Sequence, residues 1–198
     1  MSGEHKTKQD IRAAARRLFA SDGYQAVSMR DIAQAVGKQQ GGLYNHFASK
    51  QAILVDLMRE NLARAHAAVI APLDPADDPT KRLERFVRAH IKHNTAHRDD
   101  IFIAYMELRS LEPMNVRAIM DERDRYEAAL RDILCDGVAA GQFTLRDPAL
   151  HTRSLLAMLS GVIVWYRADG EQSLDEVAEC YVQAALQSVG APYAPATT

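Results

Sequence analysis

The chain is poor in the features that mark several protein classes. Its 198 residues include two cysteines, Cys135 and Cys180, without a CxxC partner, which argues against a disulfide scaffold or a cysteine-bound zinc and predicts reduced, packed thiols. Seven prolines and ten glycines are too few for a disordered or fibrous chain, and 47% hydrophobic residues suffice for a sizeable core. Long apolar runs are missing: the longest, Leu155 to Tyr166, has twelve residues, short of the ~20 needed to cross a bilayer. The opening MSGEHKTKQD lacks the apolar centre of a signal peptide, so a cytoplasmic chain with no membrane partner is expected. No alternating strand runs, internal repeats or low-complexity segments occur, which leaves an all-α fold. Nor is there a Ser-His-Asp elbow, a phosphate-binding glycine loop or a carboxylate pair, so neither an enzyme nor a cofactor is expected.

Charge is also scarce overall, at −2, but it is unevenly divided. Residues 1–50 hold eight Lys/Arg against four Asp/Glu, or +4, and the remainder holds 16 against 22, or −6. A basic end on an acidic body suits a protein that meets phosphate at one end only, although a solvated acidic surface gives the same count.

The basic end carries SMRDIAQAVGKQQGGLYNHFASK, residues 28–50. Ser28 and Asp31 have the spacing of a capping box, Ile32, Ala33 and Val36 form a narrow apolar face, and Gly37 suits the left-handed turn that ends a helix. A second short helix, Gln39 to Phe47, buries Leu43 and Phe47 and turns Gln40, Gly41, Tyr44 and Asn45 outward. Adjacent Gly41 and Gly42 cost a helix roughly 1 kcal/mol each, and close approach to a nucleic-acid backbone is one reason to carry them. Tyr44 and His46 suit phosphate oxygens, Gln39, Gln40 and Asn45 suit base edges, and Lys50 suits a further phosphate. Arg30, beside the capping box, suits either. A loop at Gly41-Gly42 with Tyr44 half-packed reads equally well from these residues alone.

Upstream, a helix over Thr7 to Ser21 sets Ile11, Ala15, Leu18 and Phe19 against a basic stripe of Lys8, Arg12 and Arg16, which either skirts DNA or is simply solvated. A long fourth helix after Ser49 ends near Pro72, with a domain boundary inside it near Arg59, giving domains 1–58 and 59–198. Further helices are predicted over Thr80–Thr95, Asp100–Leu111, Met114–Ala140, Pro148–Arg167 and Leu174–Ser188. Leu155 to Trp165 is apolar nearly all round, which implies burial on two sides. Paired with the stripe Leu174, Val177, Ala178, Tyr181, Ala184 and Ala185, it predicts a homodimer joined through a four-helix bundle, and a central core helix of one subunit is the alternative. His90, His93 and His97 share a helical face, which His66 could join through the fold, but no carboxylate or cysteine accompanies them in sequence, and no metal site is expected. Phe102, Tyr105, Met106 and Arg109, with Phe143, Trp165, Tyr166 and Arg167, combine aromatic surface with cations, as a pocket for an apolar acid derivative requires. An aromatic core with surface arginines has the same composition.

Asp31-Ile32-Ala33, Gly37, Gly41, Leu43-Tyr44, His46-Phe47 and Lys50, preceded by Phe19, Gly23 and Tyr24, resemble the DNA-binding domain of the TetR family of transcriptional repressors. Lys38 stands where that family usually has Val or Ile, and Gln39 where Ser or Thr usually caps the recognition helix. The resemblance implies a three-helix helix-turn-helix domain followed by a helical ligand-binding and dimerisation domain. It also implies contact with a double-stranded DNA operator through Ser28, Arg30, Lys38, Gln39, Gln40, Gly41, Tyr44, Asn45, His46 and Lys50. IFIAYMELRSL and GVIVWYRADGEQSLDEVAECY resemble the family's regulators of fatty-acid, steroid and aromatic-acid catabolism, which implies release from a palindromic operator by a CoA thioester. Two other functions stay open: a sensor of a lipophilic drug or cation, using a carboxylate such as Glu107, and a DNA-binding adaptor that recruits a protein without a metabolite.

Overall fold

The structure, a computed structural model, describes residues 2–192, and every regular element among them is helical. In chain order these are α1 (Ser2–Asp22), α2 (Met29–Ala35), α3 (Gln40–Tyr44), α4 (Lys50–Ala65) with a wider turn at His66–Ile70, and α5 (Pro79–Ala96). They continue with α6 (Arg98–Met106), a tight turn at Leu108–Ser110, α7 (Pro113–Ala139), α8 (Pro148–Ser160), α9 (Val162–Trp165) and α10 (Leu174–Ser188). Two compact units result, one of residues 1–62 with 98–122, the other of residues 63–97 with 123–198. The single cut expected near Arg59 thus becomes a discontinuous division, because Ile103, Leu111 and Ile119 join the core built by Ile11, Phe19, Ile32, Leu43 and Leu57.

In the first unit α2 begins and ends by local chemistry. Ser28 Oγ accepts from the Asp31 amide at 3.2 Å and Asp31 Oδ2 accepts from the Ser28 amide at 2.8 Å, satisfying donors that no helical carbonyl reaches. At the other end Gly37 is left-handed (φ 63°), with Gly37 N–H donating to Gln34 O and Lys38 N–H to Ala33 O. The helix buries Met29, Ile32 and Ala33, and α3 adds Leu43. The basic stripe of α1 is neutralised inside the unit. Arg12 forks onto Asp56 (2.5 and 2.9 Å), Arg16 reaches Asp100 (2.5 Å) and Glu60 (3.2 Å), and Lys8 lies 3.7 Å from Asp56. Asp56 and Glu60 stand at i and i+4 on α4, so the stripe binds α1 to α4 and α6 and does not form a DNA-facing row.

In the second unit Asp78 caps α5, accepting from Thr80 and Lys81, with Pro79 in the first turn. Ser173 and Glu176 form a second capping box at α10. The helix expected over Pro148–Arg167 is divided at Gly161, the weakest helix former in its interior, where the turn tightens and Val164 N–H bonds Gly161 O. The apolar segment therefore divides by side: Leu155, Leu159, Val162 and Ile163 are buried, while Val164 (74%) and Trp165 (48%) are exposed. Near the end of α7, Phe143 folds back under Gly137, where a Cβ would stand 2.0 Å from its ring. Both thiols, expected to be packed, are exposed.

His90 lies at the centre of this unit. Its Nδ1 is 2.8 Å from the Tyr126 hydroxyl and its Nε2 2.9 Å from Asn94 Nδ2, with Ser160 Oγ at 3.4 Å and Phe86 stacked on the ring. Burial, with His93 adding a like charge, pushes its pKa down to about 3. The imidazole is thus a neutral hydrogen-bonding core group, and among the described residues no cluster of three or more His, Cys, Asp or Glu is placed to hold a metal.

Candidate nucleic-acid interface

The outward side of α2–α3 follows from its inward side. Leu43 and Phe47 are buried at 0% and 5%, which fixes the roll of α3 and leaves Gln39, Gln40, Gly41, Tyr44 and Asn45 exposed, with His46 half-buried. Arg30 and Lys38 are exposed beside them, whereas the Ser28 hydroxyl is held by the capping box. Tyr44 is 49% exposed, and its hydroxyl accepts from Gln40 Nε2 at 3.2 Å, which aligns two side chains suited to polar contacts one turn apart. Neither Gly41 nor Gly42 has any atom within 4 Å of the place where a Cβ would stand. Nothing in the unit therefore demands glycine there, and the open approach to the α3 backbone lies on the exposed side.

Gln39, which stands where the family usually has a capping Ser or Thr, makes no side-chain hydrogen bond at the start of α3. Helix α3 is shorter than the Gln39–Phe47 expectation and ends at Tyr44. Lys50 takes a different place from a free phosphate clamp. Its ammonium donates to Tyr24 O and Val27 O, both at 2.7 Å, and lies 4.2 Å from the centre of the Tyr24 ring. Two of its three donors are thus held by the chain, and burial pushes its pKa below the usual lysine value.

The residues read as a ligand pocket fall in both units. Phe102, Tyr105, Met106 and Arg109 belong to the first unit and are all exposed. The helix expected over Asp100–Leu111 stops at Met106, so Tyr105 and Arg109 do not keep the i, i+4 register that was to align them. Phe143, Trp165, Tyr166 and Arg167 belong to the second unit, where Phe143 is buried and Trp165 stacks on Tyr181 with Nε1 donating to its hydroxyl at 3.2 Å. A cleft of about 280 Å³ there is lined by Trp165, Gln172, Glu176, Val177, Cys180 and Tyr181, and takes in only Trp165 of the eight. Glu107, the carboxylate considered for a cation, is buried and accepts from Tyr24 N–H and Ser110 Oγ. The interest of Tyr24, Gln51 and Glu107 is not legible locally, since the bonds that join Tyr24 to Gln51 and to Glu107 span 27 and 83 residues. Among the described residues no helix is long and apolar enough to cross a membrane.

Comparison with known proteins agrees with this geometry. Residues 11–57 match the bacterial regulatory proteins of the tetR family, and residues 76–189 match the tetracyclin repressor-like C-terminal domain. The HTH-type transcriptional repressor KstR2 of Rhodococcus jostii is 27% identical over 204 residues, covering 97% of this chain and 95% of that one. A tetR-family regulatory protein from Rhodococcus RHA1 has a crystal structure that superposes with a TM-score of 0.90 at 28% identity, over 95% of this chain and 99% of its own. AibR, solved in complex with isovaleryl coenzyme A and operator DNA, superposes with a TM-score of 0.83 over 89% and 96% of the chains at 24% identity, a likeness of fold. With a helix-turn-helix head whose polar face is exposed, and with matches that together span most of its length, the chain belongs to the TetR family of DNA-binding transcriptional regulators and is not an enzyme.

Proposed function

We propose that the protein is a homodimeric repressor that reads a palindromic operator with two copies of α3 and leaves it when an acyl- or aryl-CoA thioester binds. The observation that carries the DNA part is the exposure of Arg30, Lys38, Gln39, Gln40, Tyr44 and Asn45 around a helix pinned by Leu43 and Phe47. Gln40 and Asn45 read base edges, while Arg30, Lys38, Tyr44 and His46 hold the backbone, with the open α3 main chain at Gly41 against it. Residues 1–58 carry the reading surface and 59–198 the effector and dimerisation surfaces, with residues 98–122 of the latter packed into the core of the reading unit. The exposed Leu150, Val164 and Trp165 supply an apolar face for a second copy. Two half-sites on one face of DNA sit roughly 35 Å apart, so a change of a few ångströms between the two heads prevents both from docking.

The thioester part rests on residue chemistry alone: in the first unit Phe102, Tyr105 and Met106 offer apolar surface for an acyl group and Arg109 a guanidinium for phosphates, and in the second Trp165 and Arg167 offer the same combination. Glu107, spent on Tyr24 and Ser110, is not available to a cation. The test begins by selecting duplexes from a random pool. A Tyr44→Phe/Lys38→Ala double variant then weakens binding across related sites and flattens the salt dependence, whereas Gln40→Ala changes sequence preference. Equal binding by the double variant and wild type refutes the reading face. Calorimetry against CoA thioesters, the free acids and lipophilic cations tests the effector, and saturable binding by cations alone, or by none of the three, refutes the thioester.

A further inference from the structure

Tyr24 is gripped at every polar atom it has. Its N–H donates to Glu107 Oε1 (3.0 Å), its carbonyl accepts from Lys50 Nζ (2.7 Å), its hydroxyl accepts from Gln51 Nε2 (3.0 Å), and the Lys50 ammonium lies over its ring. It follows Gly23, left-handed at φ 81°, and stands four residues before the cap of α2, so it fixes the direction in which the chain enters the reading head. Lys50 and Gln51 stand where the chain leaves the head. Entry and exit are thus tied to each other, and residues 24–51 form a closed loop.

That loop is in turn fastened to the segment after α6. Besides Tyr24, Gln51 Nε2 donates to Ser110 O (3.1 Å), and Gln51 Oε1 accepts from Glu112 N–H (3.0 Å) and Asn115 Nδ2 (3.4 Å). Glu107 Oε2 accepts from Ser110 Oγ at 2.7 Å. Gln51 and Glu107 are 5% and 8% exposed, so their polar atoms have left water for these partners. An apolar pair of the same size would fill the space as well but would fix no direction, because dispersion contacts tolerate sliding where hydrogen bonds do not.

We propose that Gln51 and Glu107 are positioning residues for DNA recognition: neither touches DNA, and together they lock the entry and exit of the reading head onto residues 107–112. This rests on the DNA-binding reading above. The full-length chain is assayed against a duplex that the wild type has selected, at two salt concentrations. Gln51→Leu and Glu107→Leu each bind about tenfold more weakly, the equivalent of losing one or two net hydrogen bonds, with the salt slope unchanged because no phosphate contact is removed. Glu107→Gln, whose amide can still accept from Tyr24 and donate to Ser110, stays within about twofold of wild type. Leu159→Ala, a fully buried position of the second unit, provides a variant with lowered melting temperature and an intact head. If the leucine variants do not fold, Tyr24→Phe removes the one hydrogen bond to Gln51 and Ser110→Ala removes that to Glu107 together with a long, exposed one from Gln25, and a threefold loss in each is expected.

Selection of no duplex by the wild type overturns the DNA-binding reading, and this inference with it. A wild type that binds alongside positioning variants within twofold of it overturns the inference alone. So does a fall in salt slope, which would mean direct phosphate contact, or an equal loss in Leu159→Ala, which would mean general stability.

Discussion

Mild acid destabilises this protein through one buried imidazole. His90 is uncharged in the fold, its pKa pushed down to about 3 by burial, while in the unfolded chain it titrates near 6.5. Between these values the unfolded chain binds the extra proton, so stability rises with pH and is lost as pH falls from about 6.5 towards about 3. The full difference amounts to about 5 kcal/mol, and the part lost between pH 7.5 and 5.0 to about 2 kcal/mol. Tyr126, Asn94, Ser160 and Phe86 face the ring through hydrogen bonds and a stacked contact and set no carboxylate against it, and His93 adds to the repulsion. Urea unfolding of wild type and His90→Gln at both pH values isolates the effect, because other titrating groups are common to the two proteins. His90→Gln is less stable at pH 7.5, having lost buried hydrogen bonds, but its further loss at pH 5.0 is about 2 kcal/mol smaller than that of wild type. Parallel pH dependences, or an imidazole resonance of His90 that titrates near 6.5, would refute the reasoning.

Other substitutions probe other features. Gln39→Thr supplies the missing cap of α3 and raises folding stability by about 1 kcal/mol in urea unfolding, while altering operator preference. Gly137→Ala gains about 1 kcal/mol of helix propensity but drives a Cβ to 2.0 Å from the Phe143 ring, so the net is a loss of about 1–2 kcal/mol, and the sign reverses in a Phe143→Ala background. Val164→Glu, at a position 74% exposed in the single chain, leaves the melting temperature of the subunit nearly unchanged and shifts sedimentation to the monomer, whereas a charge at the fully buried Val162 prevents folding.

The local grammar of the chain was readable. The Ser28–Asp31 box, the left-handed Gly37, the burial of Leu43 and Phe47 and the span of α10 all depend on residues within a turn or two of each other. The long-range partnerships were not. The stripe of Lys8, Arg12 and Arg16 looks the same whether it meets DNA or acids, and only the fold brings Asp56, Glu60 and Asp100 to it. On sequence alone Lys50 suits a phosphate clamp, because it follows Ser49 at a helix start where backbone amides and an ammonium converge. The two carbonyls that hold it lie 26 and 23 residues earlier, beyond the reach of any local pattern. The α6 stop is a third case: periodicity continues through Leu111, while the backbone turns at Glu107, whose side chain bonds Tyr24 and Ser110. For the pocket residues, composition gave the chemistry of a class of ligand but not an arrangement, since four sit in each unit.

The discontinuous first unit bears on how such genes can be recombined. The chain passes from one unit to the other after residues 62, 97 and 122, and the first and last of these passages lie inside the unbroken helices α4 and α7. A crossover that grafted only the first sixty residues onto the body of another regulator would bring a head without Ile103, Leu111 and Ile119, and without the partners of Tyr24 and Gln51. Its apolar floor would then come from a sequence selected against a different head. Exchange of DNA specificity between relatives is therefore easiest by substitutions confined to residues 30–46, which leave the floor in place, and hardest by the domain swap that a linear map of the chain suggests.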